Sequence, residues 1–185
     1  MTMTRSASDN LNALGLFGIA LVLAMAFAMQ FALYELPCPL CLLQRAFFCA
    51  VAVGPILNLR YGPRASHYAL SILAALAGAA VSMRQVLLHI LPGDPGYGTA
   101  ILGYHYYTWA FLLFAAMAVA AAIMLLFDRA FVSAEGAAAH RSGFAKAAIW
   151  IVIALAAANI LSTFAICGIA ECPDNPVRYE LLQGR

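Results

Sequence analysis

The sequence is poor in charge. Only 10% of its 185 residues are Asp, Glu, Lys or Arg, whereas 65% are hydrophobic and the mean hydropathy is +0.89. Ordinary soluble domains are about 45–50% apolar and about 25% charged. A soluble chain of this length could not bury so much apolar surface, so the composition predicts an integral membrane protein. The net charge of +2, with no basic run interleaved with aromatic residues, argues against nucleic-acid binding.

Charge is almost absent from five long stretches. A helix needs about 20 apolar residues to cross the hydrocarbon core of a bilayer. We therefore expect transmembrane helices at about 11–34, 40–59, 67–91, 106–127 and 146–169. The predicted fold is all-α: a four-helix transmembrane bundle plus a fifth transmembrane helix, in a single membrane domain covering 1–185. The first stretch is too long, and lacks the small-residue cleavage site, for a cleaved signal peptide.

Lys and Arg are missing from two connections, 35–39 and 92–105. They occur instead before the first span and in the other two connections, at Arg5, Arg60, Arg64, Arg129, Arg141 and Lys146. Because cytoplasmic loops collect Lys and Arg, we expect a cytoplasmic amino terminus. The two connections without Lys or Arg and the tail 170–185 would then be periplasmic. Arg178 and Arg185 in the tail argue weakly against this orientation.

No cysteine falls in the predicted cytoplasmic loops. Cys38 and Cys41 lie in the first outer turn, and Cys167 and Cys172 lie at the outer end of the fifth span. Cys49, within the second helix, is interpreted as a packing residue. Disulfides persist in the bacterial periplasm and are rare in the cytosol. Two pairs on the oxidising side indicate redox chemistry or two structural disulfides, and their spacing alone leaves both open.

The pair Cys38–Cys41 has features that a structural disulfide does not need. Its ring is too small to contribute much loop entropy, whereas a second thiol so close can resolve a mixed disulfide. Pro39 suits the first position of a helix, so the second helix should begin inside the motif, where its N-terminus favours thiolate. Arg45 lies four residues after Cys41 on the same helical face. An arginine inside a membrane span is a candidate functional residue.

Two arginines are predicted at similar depths below the outer face. Arg45 should lie roughly 6 Å below Cys41, and Arg84 roughly 10 Å below the end of the third span. A guanidinium can donate to a carbonyl oxygen and stabilise charge on it, and a quinone carries two carbonyls. We therefore predict Arg45 and Arg84 as quinone ligands, and His89, near the same depth, as a third residue of the quinone site that could assist proton uptake. Arg84 could instead extend to the head groups, and His89 could be an interfacial residue with a backbone partner.

The run Cys-Pro-Leu-Cys-Leu-Leu-Gln-Arg from Cys38 to Arg45, with the pair Arg84-Gln85 in the third span, resembles the signature of the disulfide bond formation protein B (DsbB) family. The likeness covers the first four spans. It implies a protein of the bacterial inner membrane that reoxidises the periplasmic thioredoxin-fold protein DsbA and passes electrons to ubiquinone or menaquinone. By resemblance, Cys38 would exchange with a second disulfide, Cys41 would engage the quinone, and Arg45 would help to bind it.

The chain departs from this family in its second cysteine pair. Family members usually carry that pair between the third and fourth helices, but 92–105 contains no cysteine. We hypothesise that the partner attacks a Cys167–Cys172 disulfide, which Cys38–Cys41 then restores. Alternatively, the tail pair is a local structural disulfide and the partner meets Cys38–Cys41 directly. Neither a metal nor a flavin is expected.

Three other functions stay open. An enzyme resembling vitamin K epoxide reductase would also couple thiols to a quinone, but there the redox motif usually opens no second helix. A metal-handling protein would need three or four converging ligands. A structural or assembly protein with inert periplasmic disulfides is the non-enzymatic alternative. Thiol trapping separates the last from an enzyme, because inert disulfides stay oxidised when quinone is withheld.

Overall fold

Five long helices make up most of the described part of the protein. The computed structural model describes residues 4–127 and 142–182, and this part of the chain contains no strand. The long helices are α1 (Arg5–Ala32), α2 (Pro39–Tyr61), α3 (Ala65–Leu88), α4 (Tyr106–Leu125) and α5 (Gly143–Cys167), followed by a short 3-10 helix, Glu180–Leu182. All five are long and apolar enough to cross a membrane, which confirms the expected all-α membrane fold.

Part of the charge pattern used for orientation lies outside the described residues, namely Arg129, Arg141 and Arg185. The orientation therefore stays a prediction, as does the single membrane domain. We refer below to the cysteine end of the bundle, where α1, α3 and α5 end and α2 and α4 begin.

Side chains outside the apolar stretches set where the first two helices begin. Thr4 caps α1, and its hydroxyl accepts a hydrogen bond from the backbone N–H of Ala7 at 3.3 Å. The helix therefore starts six residues before the charge-free stretch. α2 starts at Pro39, inside the cysteine motif, and Cys38 is its N-cap. The sulfur of Cys38 accepts from the backbone N–H of Cys41 at 3.2 Å. This cap fixes both cysteines against the first turn of α2.

Close packing holds α2, α3 and α4 together. A side chain at Gly54 of α2 would overlap Ser71 of α3, and one at Gly78 of α3 would overlap the ring of Phe114 of α4. Phe48 of α2 stacks on Phe114 with ring centroids 4.0 Å apart. α5 packs on α1 and α2 instead. The buried core includes Leu16, Ile19, Leu23, Val51, Ala148 and Val152.

A buried polar cluster ties three helices together at the end opposite the cysteines. Asn12 of α1 donates to the hydroxyl of Tyr68 of α3 at 3.0 Å, and Asn58 of α2 donates to Asn12 at 2.9 Å. The Asn58 carbonyl oxygen lies 2.9 Å from Nδ1 of His67. Because unpaired polar groups are costly inside a membrane, these mutual bonds fix the helices at this end.

Candidate redox site

The disulfide Cys38–Cys41 lies at the amino-terminal end of α2. Its Cα atoms are 5.0 Å apart, and Cys38 is 5% exposed whereas Cys41 is partly exposed. Four N–H groups at the start of a helix have no partner within the helix. The one on Cys41 already points at the sulfur of Cys38. Such a site favours negative charge on sulfur.

Two buried glutamines flank the disulfide. Gln85 of α3 is 1% exposed, and its amide nitrogen lies 3.3 Å from Sγ of Cys38 and 3.6 Å from Sγ of Cys41. Gln44 of α2 donates to the carbonyl oxygen of Gln85 at 2.8 Å. The sulfurs therefore have two N–H donors, the backbone of Cys41 in α2 and the side-chain amide of Gln85 in α3.

Arg45 lies one turn below Cys41 and is 8% exposed. Its guanidinium donates to the side-chain oxygen of Gln30 at 2.7 Å and to the backbone oxygen of Ala26 at 2.9 Å. It also lies over the ring of Phe27, 5.2 Å from the centroid. All three partners belong to α1. A guanidinium has five N–H groups, and two of them are engaged with described residues.

Gln30 connects Arg45 to the carboxy-terminal part of the chain. Its amide nitrogen donates to the hydroxyl of Ser162 of α5 at 2.9 Å and to the hydroxyl of Tyr179 in the tail at 3.2 Å. Gln30 is 1% exposed. A buried arginine of α2 is thus held in a hydrogen-bond network that includes α1, α5 and the tail.

An apolar cavity of about 430 Å³ lies beside Cys41. This volume is within the range of small-molecule sites, about 300–1,000 Å³. The residues with polar groups at its lining include Cys41, Gln44, Arg45, Glu35, Tyr97 and Tyr106. Apolar side chains of α1, α2 and α4 form most of the rest, among them Leu21, Met25, Met29, Phe48, Trp109 and Leu113. Leu21 and Met25 are also exposed on the outside of the bundle, so the cavity opens toward the surrounding lipid.

The 92–105 loop forms one wall of this cavity. The hydroxyl of Tyr97 donates to the backbone oxygen of Leu36 at 2.6 Å. Glu35 accepts from the backbone N–H of Thr99 at 2.9 Å and from its hydroxyl. Burial, and then the negative charge of Glu35, raise the pKa of Tyr97, so this phenol stays protonated as a donor. The loop is thereby tied to the two residues that precede Pro37 and the cysteine motif.

Two of the predicted quinone ligands are not brought to the cavity. Arg84 is exposed on α3 and lines a shallow surface groove with Met83 and Leu87. His89 caps the end of α3; its Nδ1 lies 3.0 Å from a carboxylate oxygen of Asp94, and its ring stacks on Tyr107. The polar residue of α3 that does face the cysteines is Gln85, the direct neighbour of Arg84.

The second disulfide, Cys167–Cys172, lies where α5 ends, with Cα atoms 4.5 Å apart. Cys167 belongs to a buried apolar cluster with Leu36 and Leu42, against which Cys172 also packs. Leu36 lies two residues before Cys38, and Leu42 directly follows Cys41. The structure therefore brings the tail disulfide to the cysteine end, against the residues that flank the first disulfide.

Sequence reasoning missed several residues of this site. Gln30, Gln44 and Gln85 stand in otherwise apolar helices, and amide side chains at such positions usually hydrogen-bond between helices. That signal was available in the sequence. Tyr97 and Tyr179 carry no comparable signal, because both lie in irregular segments rich in turn-forming residues.

The comparisons with known proteins find similarity in the first half of the chain. Residues 8–97 match the family model described as Disulfide bond formation protein DsbB. This segment, just under half of the chain, is similar to the DsbB family. The matched segment contains both cysteines of the first pair, Arg45 and Gln85. It ends before α4, so α5 and the tail disulfide lie beyond it.

Curated relatives of the DsbB family match the same region. Disulfide bond formation protein B of Xanthomonas axonopodis pv. citri is 40% identical over 86 residues, which are 44% of this chain and 50% of that protein. Its namesake from Chromobacterium violaceum is 43% identical over 77 residues, 38% of this chain and 46% of that protein. Disulfide bond formation protein B 2 of Burkholderia lata is 38% identical over 91 residues, which are 49% of this chain and 54% of that protein. The chain spans about half the length of the curated relatives it matches. No solved structure gives a significant match.

Proposed function

We propose that this protein is a quinone-dependent thiol oxidoreductase of the bacterial inner membrane. It would reoxidise a periplasmic DsbA-like dithiol protein and pass the electrons to ubiquinone or menaquinone. One observation carries the proposal: Cys41 and Arg45 line the same apolar cavity, and Cys41 is disulfide-bonded to Cys38. A reactive sulfur is thus adjacent to a site of suitable size for a lipid-soluble molecule.

The cavity suits a quinone in its chemistry as well as its size. Its apolar walls match a lipid-soluble ring and chain, and the exposed side chains at its mouth allow access from the bilayer. Two N–H groups of Arg45 are engaged with α1, which fixes the guanidinium and leaves others for a carbonyl oxygen. When bound, a quinone supplies the capacity to accept two electrons and two protons. Arg84 and His89 have no place in this proposal, because neither lines the cavity.

The chain's own sulfurs would carry the electrons to that cavity. A thiolate of the partner attacks Cys167–Cys172, and the partner's second thiol resolves the mixed disulfide, so the partner leaves oxidised. The reduced tail pair then reduces Cys38–Cys41 by a second exchange. Cys41 thiolate next gives up two electrons at the cavity as its bond with Cys38 reforms. The packing of the tail pair against Leu36 and Leu42, which flank the first pair in the sequence, supports this order.

Reconstitution tests the function directly. The full chain in lipid vesicles is mixed with a reduced DsbA-like protein and a short-chain ubiquinone, and quinone absorbance is followed. We expect the absorbance to fall with the wild type and with Cys49→Ala, but not with Cys41→Ala. Cys49 is the matched control because it is the free cysteine of the described residues.

Two results would refute the proposal. One is the absence of quinone reduction by the wild type. The other is thiol trapping that finds both disulfides oxidised whether or not quinone is supplied, as expected for a structural or assembly protein with inert disulfides. Labelling of Cys38 and Cys41 with a membrane-impermeant thiol reagent from the cytoplasmic side alone would refute the orientation.

A further inference from the structure

The side chain of Gln85 is the most deeply buried polar contact of the disulfide. It is 1% exposed, and burying an amide without hydrogen-bond partners is unfavourable. The described partners of its N–H₂ group are the two sulfurs of Cys38 and Cys41. A sulfur in a disulfide is a weak acceptor, whereas a thiolate is a strong one. The amide is therefore placed for a state of the site in which the disulfide is reduced.

Gln44 determines which end of the Gln85 amide faces the sulfurs. Its nitrogen lies 2.8 Å from the oxygen of Gln85, so the nitrogen of Gln85 points the other way. Reversing both amides would keep one hydrogen bond between them. It would also place a carbonyl oxygen against two bonded sulfurs, which have no hydrogen to donate. Both contacts are therefore satisfied in only one orientation of the two amides, in which the nitrogen of Gln85 faces the sulfurs.

We propose that Gln85 is a catalytic residue that stabilises the thiolate formed when Cys38–Cys41 is reduced, and that Gln44 is the positioning residue that orients its amide. The inference rests on the proposed function and names a further participant in it. Arg45 lines the cavity, whereas Gln85 contacts the two sulfurs from α3 and is not among the residues that line the cavity. The two roles are therefore separable by experiment.

The electron balance shows where this stabilisation acts. Two electrons from an incoming dithiol break the Cys38–Cys41 bond, and that dithiol becomes a disulfide. One sulfur of the pair takes a proton and becomes a thiol, while the other remains a thiolate. An N–H donor at 3.3–3.6 Å favours the charged form over the neutral one. Stabilising the reduced form makes a dithiol pair more oxidising, so Gln85 would help Cys38–Cys41 to draw electrons from the tail pair.

The test is the redox equilibrium of Cys38–Cys41 in the full-length protein. Wild type, Gln85→Met and the matched control Leu87→Ala are equilibrated with glutathione buffers without quinone, and the state of each pair is read by alkylation and peptide mass. Met keeps the length of the side chain and removes both donors, while Leu87 is an exposed residue of α3. Hydrogen bonds to charged groups are worth about tenfold or more in equilibrium. We expect Gln85→Met to shift the equilibrium about tenfold toward the disulfide, or about 30 mV, and to slow alkylation at fixed pH similarly. Leu87→Ala should match the wild type.

A second variant keeps the inference testable if Gln85→Met does not fold. Gln44→Leu leaves Gln85 in place but removes the group that orients it, so we expect a smaller shift in the same direction. If Gln85→Met folds and keeps the wild-type redox equilibrium and alkylation rate, the inference is overturned. If only Gln44→Leu folds, wild-type values in that variant overturn it. This outcome is distinguishable from failure of the proposed function, because the equilibrium is measured without quinone whereas the function is tested by quinone reduction of the wild type.

Discussion

Replacing Arg45 with Met tests the proposed quinone site with little damage to the bundle. Met retains an unbranched apolar side chain that can pack on Phe27, over which the guanidinium lies. The oxygen of Gln30 that Arg45 engages also accepts from the hydroxyl of Ser162 at 3.3 Å. It therefore keeps a partner when the guanidinium is removed. The substitution thus removes positive charge from the cavity without leaving that buried oxygen unpaired.

The size of the effect follows from the hydrogen bonds that Arg45 can offer. A hydrogen bond from a charged donor contributes about 1.5–3 kcal/mol, and about 1.4 kcal/mol is a factor of ten in affinity. We therefore expect Arg45→Met to raise the KM for quinone by about 10- to 100-fold. Exchange between the reduced partner and the disulfides should be nearly unchanged, because it does not require the cavity. The assay is quinone reduction in vesicles over a range of quinone concentrations, with quinone-free single-turnover exchange measured alongside.

Arg60→Met is the matched control, since Arg60 lies in the last turn of the same helix. At about 1.5 Å per residue it is roughly 22 Å from Arg45. The same chemical change there should leave the KM at its wild-type value. An unaltered KM in Arg45→Met would remove this arginine from the quinone site. A parallel loss of partner exchange would show that it holds the bundle together instead.

Three further predictions concern the tail and the 92–105 loop. Cys172→Ala should reduce partner-driven quinone reduction to the uncatalysed rate while dithiothreitol still drives it; undiminished partner-driven turnover would leave the tail pair as a structural disulfide. Gly93 and Gly96 both have positive φ, 88° and 69°, but only a side chain at Gly96 would overlap His105. Gly96→Ala should therefore increase chymotrypsin cleavage of the loop more than Gly93→Ala, and equal cleavage would contradict this. Hydrogen bonds, first from the backbone N–H of Gly96, lower the pKa of Asp94 below its ordinary 3.8. The stabilisation of the loop by the Asp94 carboxylate is thus complete above that value and lost as pH falls through the lowered pKa. Protection of the Gly96 amide from hydrogen exchange should fall over the same pH range, and Asp94→Asn should remove this pH dependence.

The sequence was sufficient for the helices and for the start of α2. Charge-free stretches of the required length have few alternatives to a spanning helix, and Pro39 suits the first turn of a helix better than its interior. The first and last residues of the helices were harder to predict. α1 starts at Arg5 because the Thr4 side chain caps it, and a cap is a local contact that hydropathy does not register.

The depth of a residue along a helix was predictable, but its direction was not. Arg84 and Gln85 differ by one residue in depth and by about 100° around the helix axis. In a soluble helix, the apolar face would show which of the two points inward. A membrane helix is apolar on both its lipid-facing and its buried side, so this signal is weak. The charge of Arg84 therefore led to its prediction as a site residue, whereas the structure places Gln85 against the sulfurs.

The position of the tail could not be read from the sequence for a related reason. Residues 168–179 form turns without periodicity, so no pattern indicates what they pack against. The contact depends on single side chains: Tyr179 reaches the amide of Gln30, and Cys172 packs near Leu36 and Leu42. Contacts between residues about 150 positions apart become visible only when the helices are assembled.

The placement of the second disulfide on α5 has a mechanical consequence under the proposed function. A segment that exchanges disulfides with a soluble partner must move between that partner and Cys38–Cys41. The 92–105 loop is poorly suited to this, because Tyr97 and Thr99 tie it to Leu36 and Glu35, and it forms the wall of the cavity. Moving it would open the cavity at each turnover. Carrying the disulfide on the tail lets partner exchange proceed while the cavity wall stays in place. Tyr179 also accepts a hydrogen bond from Gln30, which in turn accepts one from Arg45. Movement of the tail would therefore change the contacts of the guanidinium through the side chain of Gln30.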